Sequence, residues 1–198
     1  MPVPPMFEPE PGARAAAVLI LFGEGPDGPD VLLTERAATL NAHAGQPAFP
    51  GGRIDPEDDG PVAAALREAW EEAGVEPSGV DVLCTLPELY LSHSRHRVTP
   101  VAGWWREPSE IAPGHPGEVA TVARVPISDL ADPANRLTVR HPSGFRMGPA
   151  FRVGGMLVWG FTAAVLTRVL DAGGWDRPWD PGHVEDLPPD VVSLAARG

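Results

Sequence analysis

The sequence predicts a single α/β (α+β) domain, built on a mixed β-sheet with helices packed on its faces. The chain has 198 residues, which corresponds to one domain with one large hydrophobic core. Strand-like apolar runs and helical segments follow one another without the regular βαβ alternation of a parallel sheet. The 25 Pro and 22 Gly residues are dispersed between these apolar segments, so they indicate turns that separate ordered elements.

The N-terminal half is predicted to contain a hairpin and the clearest helix of the chain. Two apolar runs, AAAVLILF and VLLTER, flank a turn that is rich in Gly, Pro and Asp. In the helix, apolar side chains recur at helical spacing, Pro61 suits the first helical position and Gly74 suits the position after the last turn. The predicted elements are strands at 15–22 and 31–36, a loop with a short strand at 41–52, and a helix at 61–73.

The C-terminal half is predicted to continue the sheet and to add a second long helix. The predicted elements are strands at 79–91, 97–105 and 118–126, a short helix at 127–130, a hairpin at 137–154 and a helix at 157–171. At the level of domains, we predict an extended, Pro-rich N-terminal arm (1–13), one globular domain (14–175) and an irregular tail (176–198).

The composition excludes several classes of function. The formal net charge is −12, so we expect neither a nucleic-acid nor a membrane partner, because such partners are bound by clusters of Lys and Arg. All 15 basic residues are Arg, which excludes a catalytic lysine. The one cysteine, Cys84, excludes an internal disulfide, and its apolar surroundings predict a buried side chain. The sequence has no run of 18 apolar residues and no signal peptide, so we expect a cytoplasmic protein.

Three carboxylates on the first helix point to metal chemistry. Glu68, Glu71 and Glu72 have the spacing i, i+3 and i+4, which places them on one side of the helix, away from its apolar stripe. Like charges at this spacing destabilise a helix, and hard divalent cations prefer oxygen ligands of this kind. The preceding glycine pair Gly51-Gly52 can bring backbone carbonyls close to a bound ion. The alternative is a solvated acidic face that holds no ion.

Residues 51–75 resemble the Nudix box, which opens with Gly and closes with R-E-hydrophobic-x-E-E-x-G-hydrophobic. The closing part matches from Arg67 to Val75. The spacing between the two parts is one residue longer than in the commonest form, and Asp58 stands where that form has Glu. The resemblance implies the Nudix α/β/α sandwich, a mixed β-sheet flanked by helices, with the box as loop–helix–loop. It also implies a pyrophosphohydrolase that uses Mg²⁺ or Mn²⁺.

A second motif resembles the Nudix subfamily that hydrolyses coenzyme A. The segment LLTERA at 32–37 stands in register with Gly45 and with FPGG at 49–52, and Asn41 occupies the position of the subfamily's internal Arg. The resemblance covers roughly residues 14–175. It implies cleavage of the diphosphate of coenzyme A or acyl-CoA to 3′,5′-ADP and (acyl-)4′-phosphopantetheine, and it suggests a homodimer. The alternatives are another nucleoside diphosphate-X substrate, such as ADP-ribose or NADH, and a non-enzymatic Nudix-fold binding module.

The resemblance assigns roles to individual residues. Arg67 orients the acids, Glu68 is the first candidate for the catalytic base, and Glu118 is the candidate distal acid, with Glu110 as a weaker alternative. The implied metal ligands are Glu68, Glu72, Glu71, the Gly51 carbonyl and Glu118.

Several basic residues near these motifs are candidates for substrate binding, because guanidinium groups bind phosphate. The candidates are Arg36, Arg53, Arg95, Arg97 and His43. The alternative for Arg95 and Arg97 is a solvated hairpin tip, and the alternative for His43 is a hydrogen bond within its loop.

Overall fold

The computed structural model describes residues 12–37, 45–91, 94–114 and 117–188. Within these ranges, the larger sheet contains β1 (Arg14–Gly25), β2 (Gly28–Arg36), β3 (Pro47–Ala48), β4 (Gly51–Arg53), β5 (Val80–Thr85), β6 (Leu89–Leu91), β7 (His96–Trp105) and β8 (Val119–Pro126). The smaller sheet contains β9 (Arg136–Arg140), β10 (Arg146–Val153), β11 (Met156–Val158) and β12 (Val184–Asp186). The helices are α1 (Gly60–Ala73), α2 (Ile127–Ala131) and α3 (Gly160–Ala172).

The larger sheet is mixed, as predicted. Its main path runs β3-β2-β1-β7-β5, and β4, β6 and β8 pair with β1, β7 and β2 respectively. Strands β1 and β7 are parallel, whereas β1 and β2 form the predicted antiparallel hairpin, with Phe22 opposite Val31. The hairpin predicted in the second half is also confirmed, as β9 and β10.

Helices cover both faces of the larger sheet. On one face, α1 packs through alanines that are completely buried, and these small side chains allow the helix to approach the sheet closely. On the other face, one core joins β1 and β2 to α2, α3 and the smaller sheet. The structure therefore has the layered arrangement of helix, mixed sheet and helix that the sequence predicts.

Helix α1 has the ends that its sequence predicts. Pro61 lies in the first turn, and Gly74 has φ of 74°, the left-handed conformation that favours glycine. The last carbonyls also accept hydrogen bonds from a later segment: Ser109 Oγ bonds the Gly74 carbonyl at 2.8 Å, and Gly114 N bonds the Glu72 carbonyl at 3.0 Å. The C-terminal end of α1 is thus fixed by tertiary contacts.

Two predicted elements have different bounds. The second long helix begins at Gly160 and not at residue 157, because Met156–Val158 pairs with β10. The predicted strand at 79–91 is divided into β5 and β6, and the pairing of β5 with β7 is irregular between Val82 and Cys84. Because the pairing with β7 is broken locally, the structure has two strands where the apolar pattern alone predicts one.

The segment predicted as an irregular tail contains strand β12, which pairs in parallel with β9. Arginines of the β9–β10 hairpin bind this segment: Arg140 Nε lies 2.6 Å from Asp186 Oδ1, and Arg152 pairs with Glu185. The strand is therefore formed by tertiary contacts, which are its pairing with β9 and these ion pairs, and not by its own short, acidic sequence. Residues 1–11 and 189–198, which include most of the predicted N-terminal arm, lie outside the described residues.

Cys84 is exposed, so the prediction of a buried side chain is wrong. Strand β5 stands at the end of the main path of the larger sheet, and its residues from 81 to 85 are all exposed. An apolar sequence identifies a strand, but it does not show whether that strand lies at the edge of its sheet.

Candidate active site

The glycine pair Gly51-Gly52 brings the backbone of β4 against both β1 and α1. Gly51 pairs with Val18, and a Cβ at Gly51 would overlap the carbonyl oxygen of Ala17. A Cβ at Gly52 would overlap the carboxylate of Glu68. Gly51 therefore requires glycine, because a side chain there would push β4 away from β1, whereas a side chain at Gly52 would displace the Glu68 carboxylate.

Glu72 is held against this glycine pair. Its Oε2 accepts a hydrogen bond of 3.0 Å from the backbone N–H of Gly51. Burial, and to a smaller extent the charges of Glu68 and Glu118, raise the pKa of Glu72 to about 7, against the opposing effect of the Gly51 N–H. The nearby charge of Arg36 lowers it. Glu72 thus lies at a point where Glu68, Glu118 and Arg36 converge.

Glu68 lies beside Gly52 and is largely buried, with 17% of its side chain exposed. Burial raises its pKa, and the adjacent Arg67 guanidinium opposes this effect. Two desolvated carboxylates on successive turns of one helix form an electrostatically unfavourable pair, which an added cation would stabilise.

Arg67 joins the loop before the helix to the carboxylates on it. Its Nε and Nη2 donate to the two oxygens of Asp58, at 3.0 and 2.9 Å, and its Nη2 also donates to the Arg53 carbonyl at 3.1 Å. Its Nη1 donates to Glu68 and to Glu71, both at 3.1 Å. The Arg67 hydrogen bond lowers the pKa of Asp58, so the loop carboxylate stays ionised and holds the guanidinium in place.

The remaining predicted acids lie in different positions relative to Glu72. Glu71 lies at the exposed side of the cluster, bound to Arg67. Glu118 is exposed but close enough to act on Glu72, and its carbonyl accepts the Ala37 N–H at 2.8 Å. Glu110 belongs to the segment that packs on the end of α1. In the described part of the chain, no three His, Cys, Asp or Glu side chains form a group ready to hold a metal ion.

One predicted phosphate-binding residue lies at the acidic site. The Arg36 side chain is close to Glu72, and its Nε is buried without a hydrogen-bond partner among the described residues. Arg53 contributes its carbonyl to Arg67, whereas Arg97 pairs with Glu88 at 3.6 Å. The Arg95 carbonyl accepts the Arg14 N–H.

Two sequence predictions at the site fall on residues that the structure does not describe. His43, the predicted substrate contact, and Asn41, at the position of the subfamily Arg, lie outside the described residues.

Sequence reasoning missed one contact at the centre of the site. It assigned the Gly51 carbonyl to a metal ion, but it did not predict that the Gly51 N–H fixes Glu72. A hydrogen bond between two elements cannot be derived from spacing alone.

The donor set at this site fits a hard divalent cation. Glu68 and Glu72 supply carboxylate oxygens at a water-poor position, and the backbone of the glycine pair lies directly against them. No Cys or His contributes to the described cluster, which favours Mg²⁺ or Mn²⁺ over softer ions.

The comparisons with known proteins agree with this class of site. A model of the NUDIX domain family matches residues 12–144. The family match places the chain in the class of pyrophosphohydrolases. This chain belongs to the Nudix hydrolase family, whose members hydrolyse small nucleotide derivatives with divalent metal ions.

Individual relatives support the family assignment. The chain is 34% identical over 197 residues to mitochondrial Nudix hydrolase 15 of Arabidopsis thaliana, covering 93% of this chain but 65% of that protein. It is 42% identical over 164 residues to the uncharacterized Nudix hydrolase NudL of Cronobacter sakazakii, covering 79% and 81% of the two chains. The crystal structure of a Nudix hydrolase from M. smegmatis, RenU, matches with a TM-score of 0.58 and 23% identity, over 85% of this chain and 90% of that one, which supports the fold alone.

The helices of the described residues are too short or too polar to cross a bilayer.

The raised pKa of Glu72 predicts an unusual pH dependence of stability for the metal-free protein. A carboxyl group with a higher pKa in the folded state stabilises the fold when it is protonated. This contribution is fully present below about pH 4.5 and is lost as the pH rises through about 7. We therefore expect metal-free Glu72→Gln to be more stable than the wild type at pH 8, by up to about 3 kcal/mol, because glutamine still accepts the Gly51 N–H.

Urea unfolding in EDTA at pH 5 and pH 8 measures this difference. The matched control is Glu76→Gln, an exposed glutamate just beyond the same helix, which should change the unfolding free energy little at either pH. A Glu72→Gln protein that is less stable than the wild type at pH 8 would contradict the prediction.

Proposed function

We propose that this enzyme hydrolyses the diphosphate of coenzyme A or acyl-CoA to 3′,5′-ADP and (acyl-)4′-phosphopantetheine. The observation that carries the proposal is that Arg36, the arginine of the LLTERA motif, lies near enough to Glu72 for its charge to lower the pKa of that carboxyl group. The longer spacing between Gly51 and Arg67, and Asp58 in place of Glu, support the same subfamily. An arginine whose buried Nε has no hydrogen-bond partner among the described residues, and whose charge acts on a candidate metal-binding carboxylate, suits the diphosphate of a substrate.

In this proposal, the role of each carboxylate follows from its surroundings. Glu72, fixed by the Gly51 N–H, and Glu68 would hold the metal ion together with the Gly51 carbonyl, and Glu118 and Glu71 are the candidates to join them from the exposed side when an ion draws the side chains together. A bound Mg²⁺ or Mn²⁺ supplies positive charge for the diphosphate and for the attacking water. Glu68 accepts the proton of that water, since its raised pKa brings it closer to the working pH, and Arg67 keeps it oriented.

The arginines fall into two groups with different tasks in the proposal. Arg36 lies at the acids, so it contacts the diphosphate itself. Arg53, Arg95 and Arg97 are further candidates for the 3′-phosphate that distinguishes coenzyme A from ADP-ribose, and His43 is a fourth. Arg97 is available for this role, because its ion pair with Glu88 is long, at 3.6 Å, and exposed.

The second candidate is a Nudix pyrophosphatase for ADP-ribose or NADH. The observation that favours it is Asn41, which removes one cation from the subfamily motif. A non-enzymatic binding module is disfavoured, because Glu68, Glu71 and Glu72 are all retained.

We expect coenzyme A to have a higher kcat/KM than ADP-ribose or NADH. Mass analysis of the products from coenzyme A, acetyl-CoA, dephospho-CoA, ADP-ribose and NADH measures this preference. Dephospho-CoA is the matched control, because it lacks only the 3′-phosphate, and we expect its kcat/KM to fall at least about tenfold, since an arginine is left unpaired. A higher kcat/KM for ADP-ribose or NADH would overturn the coenzyme A assignment and leave the family assignment intact.

A further inference from the structure

We propose that Thr162 is a positioning residue for the active site, because its hydroxyl holds the strand that leads into Gly51. Thr162 lies in the first turn of α3 and is 4% exposed. Its Oγ1 donates a hydrogen bond of 3.1 Å to the Pro47 carbonyl, which is 115 residues away in the sequence. The inference rests on the proposed function, since it concerns the loop that fixes the metal-binding Glu72.

Strand β3 is short and makes few hydrogen bonds of its own. It contains two residues and pairs with β2 at two positions, where Thr34 faces Ala48 and Glu35 faces Pro47. Pro47 has no N–H to donate to a neighbouring strand. The Thr34 hydroxyl donates to the Ala48 carbonyl, but at 3.3 Å this hydrogen bond is long. The bond from Thr162 therefore adds to a small number of hydrogen bonds that hold β3, and it is the one that comes from α3.

The N-terminal end of α3 is packed against β3 over more than this one bond. A Cβ at Gly160, the first residue of α3, would lie 3.6 Å from Nε2 of Gln46. Phe49, which follows β3, is 2% exposed and belongs to the same core as Ala163 and Leu166 of α3. Helix α3 therefore contacts the chain before, within and after β3.

A short buried path connects β3 to the catalytic carboxylate. Phe49 and Pro50 are buried, and the Pro50 carbonyl accepts the Leu19 N–H at 2.9 Å. The next residue, Gly51, donates its N–H to Glu72. Because close-packed interiors transmit displacements, a shift of β3 moves Gly51 relative to α1. The hydroxyl of Thr162 thus sets the geometry in which Glu72 binds a metal ion.

Direct binding of Mn²⁺ to the full chain, without substrate, tests this inference. Thr162→Val keeps the shape of the side chain but leaves the Pro47 carbonyl without its donor. We expect its dissociation constant for Mn²⁺ to rise about threefold to tenfold, the effect of losing one hydrogen bond. Thr162→Ser and Thr162→Ala provide a second comparison, because these two variants differ only by the hydroxyl group. Of the two, we expect Thr162→Ser to bind Mn²⁺ like the wild type and Thr162→Ala to bind it more weakly.

Thr167→Val is the matched control on the same helix. The Thr167 Oγ1 donates to the Ala163 carbonyl at 2.8 Å, a bond that stays within α3. We expect this variant to bind Mn²⁺ like the wild type, even where its melting temperature falls as much as that of Thr162→Val.

The outcomes separate the inference from the proposed function. Wild-type affinity for Mn²⁺ in Thr162→Val, or equal affinities in the serine and alanine proteins, would overturn the positioning role and leave the metal site standing. A wild-type protein that binds no Mn²⁺ would overturn the proposed metal site, and with it the inference.

Discussion

Glu72→Gln should lower kcat by at least about 100-fold and leave the fold intact. The substitution removes the charge that Glu72 offers to a metal ion, but it keeps the size of the side chain and an oxygen that accepts the Gly51 N–H. The effect on activity therefore runs opposite to the effect on stability, because the same desolvated charge destabilises the metal-free protein.

Steady-state kinetics of the purified protein, with circular dichroism as the check of folding, measure the loss. Glu76→Gln is again the control, because its carboxylate is exposed and lies outside the cluster. Full activity of a folded Glu72→Gln protein would refute the assignment of Glu72 to the metal site.

Chelation should abolish turnover completely. With EDTA in excess, the enzyme has no cation to neutralise the substrate's diphosphate, and its own charge of −12 repels an anionic substrate. We expect Mg²⁺ or Mn²⁺ to restore activity and Zn²⁺ to substitute poorly, because the described cluster offers oxygen ligands without Cys or His.

Thermal unfolding provides an independent measure of metal binding. A ligand present at 100 times its dissociation constant stabilises the folded state by about 2.7 kcal/mol. Mg²⁺ should therefore raise the melting temperature of the wild type and have a much smaller effect on Glu72→Gln. Turnover that continues unchanged in excess chelator would rule out the mechanism.

The elements that the sequence predicts best are those whose signals are local. Helix α1 has its apolar stripe, Pro61 and Gly74 within one short segment, and the first hairpin has two apolar runs around one turn. Strand β12 has no such signal, because it is held by arginines that lie far away in the sequence. The edge position of β5, which exposes Cys84, is likewise a property of the whole sheet.

In the candidate site, too, the sequence predicts the local features and not those that depend on tertiary packing. The spacing of Glu68, Glu71 and Glu72 predicts that they share one side of a helix, but it treats them as equivalent. In the structure, Glu71 faces solvent beside Arg67, whereas Glu72 is half-buried against Gly51. The difference arises from where β4 meets the helix, so only the packed structure identifies the carboxylate with the strongly raised pKa.

The contacts of the C-terminal segment, residues 176–187, limit how far this protein can be truncated. Arg136 is 1% exposed, it is stacked against Phe151 and Trp179, and its ion pair is with Asp176. Ending the polypeptide at residue 175 would remove both Trp179 and Asp176 and leave a guanidinium in the interior without its counter-charge. Removing the partner of a buried charge lowers the free energy of unfolding by about 3 to 5 kcal/mol, which is a large part of the stability of an ordinary domain. The smallest piece that folds as the whole does therefore extends at least through Leu187, whose side chain closes the core beneath β9.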